Sequence, residues 1–310
     1  MNKVVVVFAP TACGKTALAR KIFGKSSLSC FKGMGEVISA DSQAVYKGFD
    51  IGTAKPALCE IEDIPHHLVD VCDGNTQFDL GDFMEMADSL CREILSRNKI
   101  PLVVGGTGFY IRNFLLGSPV TPESNETIRS QVKLKLSQLG RKALYEELKI
   151  IDPEYASKIN VNDELRICRA LEVFYMSGKP LSSYKLNTTL RNDFDFCPII
   201  LTREKEDLYR RINERVDLMF EMGLETEVKK LISLGYTRES PAMKAIGYSE
   251  FFYEGFSGKK LVERIKTDSR HYAKKQYTYM KGIPGAVEMH ADDEKKFLDT
   301  IKKFIGISLS

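Results

Sequence analysis

The 310-residue chain contains no tryptophan, no Cys-x-x-Cys pair and no long apolar run. The missing tryptophan says nothing about function; the other two absences exclude whole classes. Crossing a bilayer takes roughly 18 apolar residues, and the opening run Val4–Ala9 has six. Lys3 before that run suggests a secretory leader, but the stretch is too short. Cleavage would also remove the residues that carry the chemistry below. The expectation is a cytoplasmic protein with no membrane partner. Seven cysteines, an odd number, are scattered, and the four histidines (His66, His67, His271, His290) lack metal-site spacing. Neither zinc nor a disulfide framework is expected. Charge of one sign is also scarce: 45 Lys and Arg face 42 Asp and Glu, leaving +3. That excess is too mild to imply a nucleic-acid partner, so any basic surface must come from local clustering. At 43% hydrophobic and 28% charged, the composition is that of a folded globular protein of one large or two ordinary domains.

Apolar periodicity supplies the outline. Val4–Phe8, Glu36–Asp41, His66–Val71, Ile100–Val104, Cys197–Leu201 and Ala286–His290 read as strands, Val4–Phe8 and Ile100–Val104 as buried ones. Helical spacing recurs over Ala17–Phe23, Phe83–Arg97, Glu225–Leu234, Met243–Phe252, Leu261–Met280 and the last residues; Leu208, Ile212, Val216, Met219 and Phe220 share another stripe. Between Ser118-Pro119 and Asn192 no strong strand occurs. Ile128–Leu139, Lys142–Ile151 and Asp163–Ser177 read there as helices. The expectation is an α/β fold, a P-loop NTPase-like parallel sheet flanked by helices, with an all-helical insertion. Residues 1–119 and 195–310 form the core in this reading, and 120–194 the insertion.

The strand–loop–helix at Val4–Phe23 encloses Ala9-Pro10-Thr11-Ala12-Cys13-Gly14-Lys15-Thr16. All but one position fits G-x-x-x-x-G-K-[ST], in which loop amides and the helix N-terminus cradle phosphate. Lys15 is placed to reach a terminal phosphate and Thr16 to ligate Mg²⁺. Ala9 stands where the pattern has glycine, a cost only if that backbone needs φ > 0. Such a loop alone suggests an ATP- or other nucleotide-binding enzyme, such as an ATPase, a GTPase or a kinase. Those usually place a metal-holding acid after a second buried strand. Here Ile100–Val104 runs into Gly105-Gly106-Thr107, and the acid ends a different strand, at Asp41. Taken alone, Asp41 before Ser42 is a turn or cap residue.

Eight segments in order bear a resemblance that no one of them carries alone: APTACGKT at 9–16, SADSQAVY at 39–46, GTAKP at 52–56, PHHLVD at 65–70, GGTGFY at 105–110, NDELRICRALEV at 162–173, AIGY at 245–248 and RHYAKKQYT at 270–278. Together they resemble the tRNA dimethylallyltransferases, also called tRNA isopentenyltransferases, from about Lys3 to Gly282. Departures are Ala9 for glycine, Cys13 for a smaller residue, Gly108 for a common asparagine and Tyr279 for a frequent tryptophan. No Cys/His finger follows the core, as in the short bacterial form. The resemblance implies transfer of a five-carbon group from dimethylallyl diphosphate to the exocyclic amine of the adenine 3′-adjacent to the anticodon, with Mg²⁺ assisting. It implies Asp41 as general base, Thr107 at the entry of the reaction channel, and a diphosphate cradle of Thr11, Gly14, Lys15 and Thr16 within Ala9–Thr16. Arg215, four residues after Arg211 and so on the same side of a helix, joins Arg211 as a cation on the diphosphate.

Residues resembling the family's tRNA contacts are Asp41, Ser42, Gln43, Ala44, Arg166 and Arg169, with Lys244, Gly247 and Tyr248 in the segment Lys244–Ser249; Arg129 is a further candidate. Lys259–Lys281 holds eight basic residues against two acidic ones, with Tyr272, Tyr277 and Tyr279 interleaved. That stretch, including Arg270, Lys274 and Lys275, reads as a phosphate-contacting helix, or as a solvated helix with tyrosines in the core. A monomer is the expectation. The rival readings are a transferase acting on free AMP or ADP, a small-molecule P-loop kinase, and an RNA-binding module with a vestigial loop.

Overall fold

The computed structural model describes residues 2–118, 120–123 and 125–307, with Met280 described by its backbone only. Six strands form one sheet: β1 (Lys3–Phe8), β2 (Gly35–Ala40), β3 (His66–His67), β4 (Ile100–Gly105), β5 (Asp195–Thr202) and β6 (Val287–His290). Their order is β3-β2-β4-β1-β5-β6, and every neighbouring pair is parallel. The helices that accompany them are α1 (Lys15–Phe23), α2 (Leu58–Asp63), α3 (Leu80–Ser96), α4 (Gly108–Leu116), α5 (Glu126–Ile151), α6 (Pro153–Ala156), α7 (Glu164–Ser177), α8 (Lys205–Glu221), α9 (Leu224–Ser233), α10 (Gly258–Met280) and α11 (Glu294–Ile305).

The β-branched run of β1 explains its central place. Val4, Val6 and Phe8 enter the core on one face of the sheet, with α3, α4, α9 and part of α8. Val5 and Val7 enter the core on the other, with α1 and α11. A strand covered on both faces needs an unbroken apolar run rather than an alternating one. Because all strands run one way, their carboxyl ends share an edge. Phe8 and Ala40 are both level with Gly105, and Phe8 also with Ile200. The chain therefore delivers the phosphate loop, Asp41, Thr107 and Arg203 to the same rim, where ligands of open α/β sheets bind.

Three local expectations change. The third strand stops at His67 because Leu68 (φ 60°) and Asp70 (φ 56°) turn left-handed. Met243–Phe252 is not one helix but two 3₁₀ turns, Pro241–Lys244 and Ser249–Phe252, parted by Gly247 at φ 98°. Helices α2 and α4 were not anticipated. Nearly every residue of α4 is buried, so it shows no one-sided stripe to detect.

The chain divides into Met1–Leu116 with Thr189–Ser310, and Gly117–Thr188. The return to the core thus comes at 189 rather than 195; residue 119, the other expected boundary, lies outside the described residues. The reason is Arg191. Its N–H donates to Leu115 O at 2.9 Å, its guanidinium brackets the Asp88 carboxylate (Nη1 at 2.7 Å), and it lies 4.6 Å from the Phe114 ring centroid. Phe194 is buried in the same core. The helical unit has a core of its own, from Val132, Leu144, Leu148, Ala156, Ile167, Ala170 and Leu171. Within it Gly140, at φ 77°, breaks α5 into two helical stretches, near the break expected between Leu139 and Lys142. Removing the Asp88 carboxylate (Asp88→Ala) takes the bidentate partner from a mostly buried guanidinium and leaves it only the half-exposed Asp193, at 3.3 Å. It should lower stability by about 3 kcal/mol, read as a lower denaturant midpoint at unchanged slope.

Candidate active site

The phosphate loop leaves β1 at Ala9, whose N–H donates to Gly105 O at 3.2 Å. Ala9 is fully buried and is not among the positive-φ residues, so alanine costs no left-handed strain there. The strain falls instead on Ala12, at φ 60°, two residues before Gly14 at φ 107°. Cys13 is buried and its thiol donates to Leu201 O at 3.7 Å. Burial raises its pKa against the pull of Arg203 and Lys15, so this is a packing thiol rather than a reactive thiolate. Among the described residues the main-chain amides of Gly14, Lys15 and Thr16 have no acceptor, as the start of a helix leaves them. Thr11 differs: its N–H donates to Gln276 Oε1 at 3.1 Å, while Gln276 Nε2 donates to Gly106 O at 2.6 Å. One buried amide of α10 thus ties the loop to the end of β4.

These groups open on a cleft of about 680 Å³, lined by Thr11, Ala12, Gly14, Lys15, Thr16, Asp41, Ser42, Gln43, Ala44, Arg215, Lys244 and Gly247, among others. Ala9, Pro10 and Cys13 lie behind it. Arg211, expected beside Arg215, does not line the cleft; its Nε donates to Asp207 at 3.1 Å. Asp41 is both a turn residue and a cleft residue. Its Oδ1 accepts from the N–H of Gln43 at 2.9 Å and, at 3.4 Å, from that of Ala44. The Thr107 hydroxyl accepts from Ser42 N–H at 3.0 Å, locking this turn to the β4 loop. Gln43 Oε1 is buried without a partner among the described residues.

Burial lowers the pKa of Lys15; the charge of Asp41 pulls it back up and that of Arg215 pushes it down. Arg215 is likewise lowered by burial and raised by Asp41. Lys15 and Arg215 therefore lie within reach of one carboxylate, Asp41, in a cleft that Lys55, Lys244 and Glu60 also line, an arrangement that leaves positive charge for a further anion. Arg215 also donates to Thr53 O at 3.4 Å, within a segment that α9 holds. The Glu227 carboxylate accepts from the N–H groups of Asp50 (3.1 Å), Ile51 (2.9 Å) and Gly52 (3.3 Å), and from the Tyr248 hydroxyl at 2.6 Å. Tyr248 in turn accepts from Gly52 N–H at 3.1 Å. A Cβ at Gly52 would lie 2.5 Å from the Tyr248 ring, so only glycine fits. Tyr248, expected at the RNA, is thus wholly buried, because its hydroxyl is needed to fasten residues 50–52. Gly247 lines the cleft, but its N–H is engaged by Glu250 at 2.8 Å.

Along α10, Tyr272 lines the cleft, while Lys274 and Lys275 are exposed and have no carboxylate partner among the described residues. Arg270 is committed to Asn213 (2.6 Å) and Thr267 (2.9 Å). Gly108 and Tyr279 meet: a Cβ at 108 would lie 2.5 Å from the Tyr279 Cβ. In the helical unit Arg166 is exposed and pairs with Asp163, and Arg129 is half-exposed, 3.5 Å from Glu126. Arg169, expected to face RNA, donates instead to Pro122 O at 2.7 Å and sits 3.6 Å from Glu172.

The sequence profile of the IPP transferases matches residues 44–282. The chain belongs to that family. It is 37% identical to the tRNA dimethylallyltransferase of Thermoanaerobacter sp. (strain X514), over 98% of this chain and 96% of the relative. It is 39% identical to that of Geobacter sulfurreducens, over 91% and 90%. A crystal structure of the tRNA isopentenylpyrophosphate transferase of Bacillus halodurans superposes with a TM-score of 0.67 at 34% identity, covering 99% and 96% of the two chains. A eukaryotic dimethylallyltransferase caught acting on tRNA gives 0.77 at 29%, covering 98% and 77%. The enzyme is thus a prenyltransferase with a P-loop-like fold.

Gln276, Glu227 and Arg203 escaped the sequence reading of this transferase. Gln276 lies inside RHYAKKQYT, where the flanking lysines drew attention, and Glu227 looks like any first-turn helix acid. Tyr248→Phe removes one hydroxyl that accepts from Gly52 and donates to Glu227. Stability should fall by about 1–2 kcal/mol, with faster amide exchange at Ile51 and Gly52.

Proposed function

We propose that this transferase moves the dimethylallyl group of dimethylallyl diphosphate onto the exocyclic amine of the adenine 3′-adjacent to the anticodon in tRNA. The observation that carries the reading is Asp41 lining the cavity that Lys15, Thr16 and Arg215 also line, close enough for its charge to act on both cations. An adenine amine is a poor nucleophile because its lone pair is delocalised into the ring. Asp41, oriented by the Gln43 and Ala44 amides, would accept its hydrogen bond and take its proton as the N–C bond forms. The allylic C–O bond breaks and its electron pair leaves with the diphosphate. The amides of Gly14, Lys15 and Thr16 and the two cations are aimed at that growing charge.

Mg²⁺ fits the donor set: Thr16 offers a hard oxygen at the rim, and diphosphate oxygens and water would supply the rest. When bound, the ion neutralises part of the leaving group's charge. Gln43 Oε1, a buried acceptor with no partner among the described residues, suits an incoming N–H. Turning the base outward costs a few kcal/mol, less from a loop than from a duplex. Lys244, Lys274 and Lys275 are exposed and available for RNA phosphates, an attraction that weakens with salt.

The test is mass analysis of an anticodon stem-loop incubated with donor and Mg²⁺. One added five-carbon unit supports the reading. Turnover of free AMP with the stem-loop left unchanged, or ATP consumption without use of the donor, would replace it. Asp41→Asn should retain donor binding while the chemical rate falls by about 10²–10⁴. Lys15→Ala should weaken donor binding as well.

A further inference from the structure

We infer that Arg203, with Asp292 behind it, is a positioning residue that aims the phosphate loop at the diphosphate. The inference rests on reading the cleft as a diphosphate site. Arg203 follows β5, and its side chain is almost wholly buried beneath the loop. Its Nε donates to Cys13 O at 3.2 Å. A trans peptide is planar, with C=O and N–H on opposite sides, and no peptide here is cis. Fixing the Cys13 carbonyl on Arg203 therefore turns the Gly14 N–H the other way. Gly14 lines the cleft, and its N–H has no acceptor among the described residues.

The guanidinium is itself held from the far side. Nη1 donates to Asp207 at 2.8 Å and to Asp292 at 3.0 Å, and Nη2 donates to the other oxygen of Asp292. Two carboxylates make the fork rigid and offset its charge, so its contribution is direction rather than extra attraction. A Cβ built at Gly14 would sit 3.7 Å from Nη2, so the loop rests almost directly on the guanidinium. Arg203 is not among the residues that line the cleft. Asp292 lies in the turn between β6 and α11, on the surface, 89 residues further along the chain.

The experiment is calorimetric titration with inorganic pyrophosphate, alongside steady-state kinetics with dimethylallyl diphosphate and a stem-loop. Arg203→Met should weaken pyrophosphate and raise the donor KM roughly ten- to hundredfold, the scale of a displaced binding group. The stem-loop KM should stay unchanged. Arg203→Lys should recover part of the loss. Asp292→Ala, at an exposed site where folding is tolerant, should shift donor affinity in the same direction by less, and it decides the matter if Arg203→Met does not fold. Wild-type pyrophosphate affinity in folded Asp292→Ala and Arg203→Met would overturn the inference and leave the active site standing. A wild-type enzyme that does not bind pyrophosphate would overturn the site and the inference with it.

Discussion

A diphosphate can sit inside a protein only where fixed dipoles and cations replace the water it gives up. Main-chain amides are the least costly replacement, because a helix start leaves them without partners in any case. That constraint organises the molecule. It demands a strand that ends where a helix begins, a left-handed residue to turn the chain between them, and neighbours that keep the turn from relaxing. The first demand is met by β1 and α1, and the second by Ala12 and Gly14. Ala12 adopts a conformation that costs an L-residue about 1–2 kcal/mol. Such strain persists only where the surroundings over-determine it. The surroundings here are Gln276 on one side of the loop and Arg203 on the other.

Enclosing Lys15 and Arg215 has a cost of its own, visible in the downward pull that burial exerts on both. Asp41 offsets part of that cost before any ligand arrives. On the proposed reading the same carboxylate then meets the incoming amine, so one group would balance the empty site and serve the filled one. The acid follows β2 rather than β4. After β4 the chain needs Gly105 and Gly106, where a Cβ would lie 2.1 Å from Ala40 O or 2.5 Å from Gln276 Nε2. At 105 the obstacle is the backbone of Ala40, and at 106 it is the tip of the Gln276 side chain, so a side chain at 106 would displace the tie between α10 and the phosphate loop.

Legibility in the sequence followed distance along the chain. The phosphate loop is a local pattern, eight residues between an apolar strand and a helix, and could be read directly. Asp41 by itself reads as a turn residue and gains its role only from the resemblance, and Arg215 from that resemblance and its spacing from Arg211, which itself turns away from the cleft. The groups that hold these in place could not be read. Gln276 reaches back 265 residues to Thr11, Arg203 reaches 190 to Cys13, and Tyr248 reaches 196 to Gly52. A tyrosine has an apolar body and a polar tip, so burial and RNA contact look alike in a sequence; at 248 burial prevailed. Arginines mislead in the same way. Arg169 and Arg211 carry the right charge, but nearby carboxylates and a carbonyl claim it.

Helix α10 joins the two ends of the problem. Gln276 turns into the protein and grips the phosphate loop, whereas Lys275 and Lys274, one and two positions earlier, are exposed. Successive helical residues point about 100° apart, so three adjacent positions span a buried side and an exposed one. Tyr272, one turn before Gln276, lines the cleft between these extremes. Any force applied to the exposed side is carried by a rigid helix to Gln276, and from there to Thr11 and Gly106. The phosphate loop and the solvent-facing side of α10 are therefore linked through one buried side chain. A fold that had to admit a large acceptor without disturbing its anion cradle would need that tie to be short and buried, and Gln276, 3% exposed, is both.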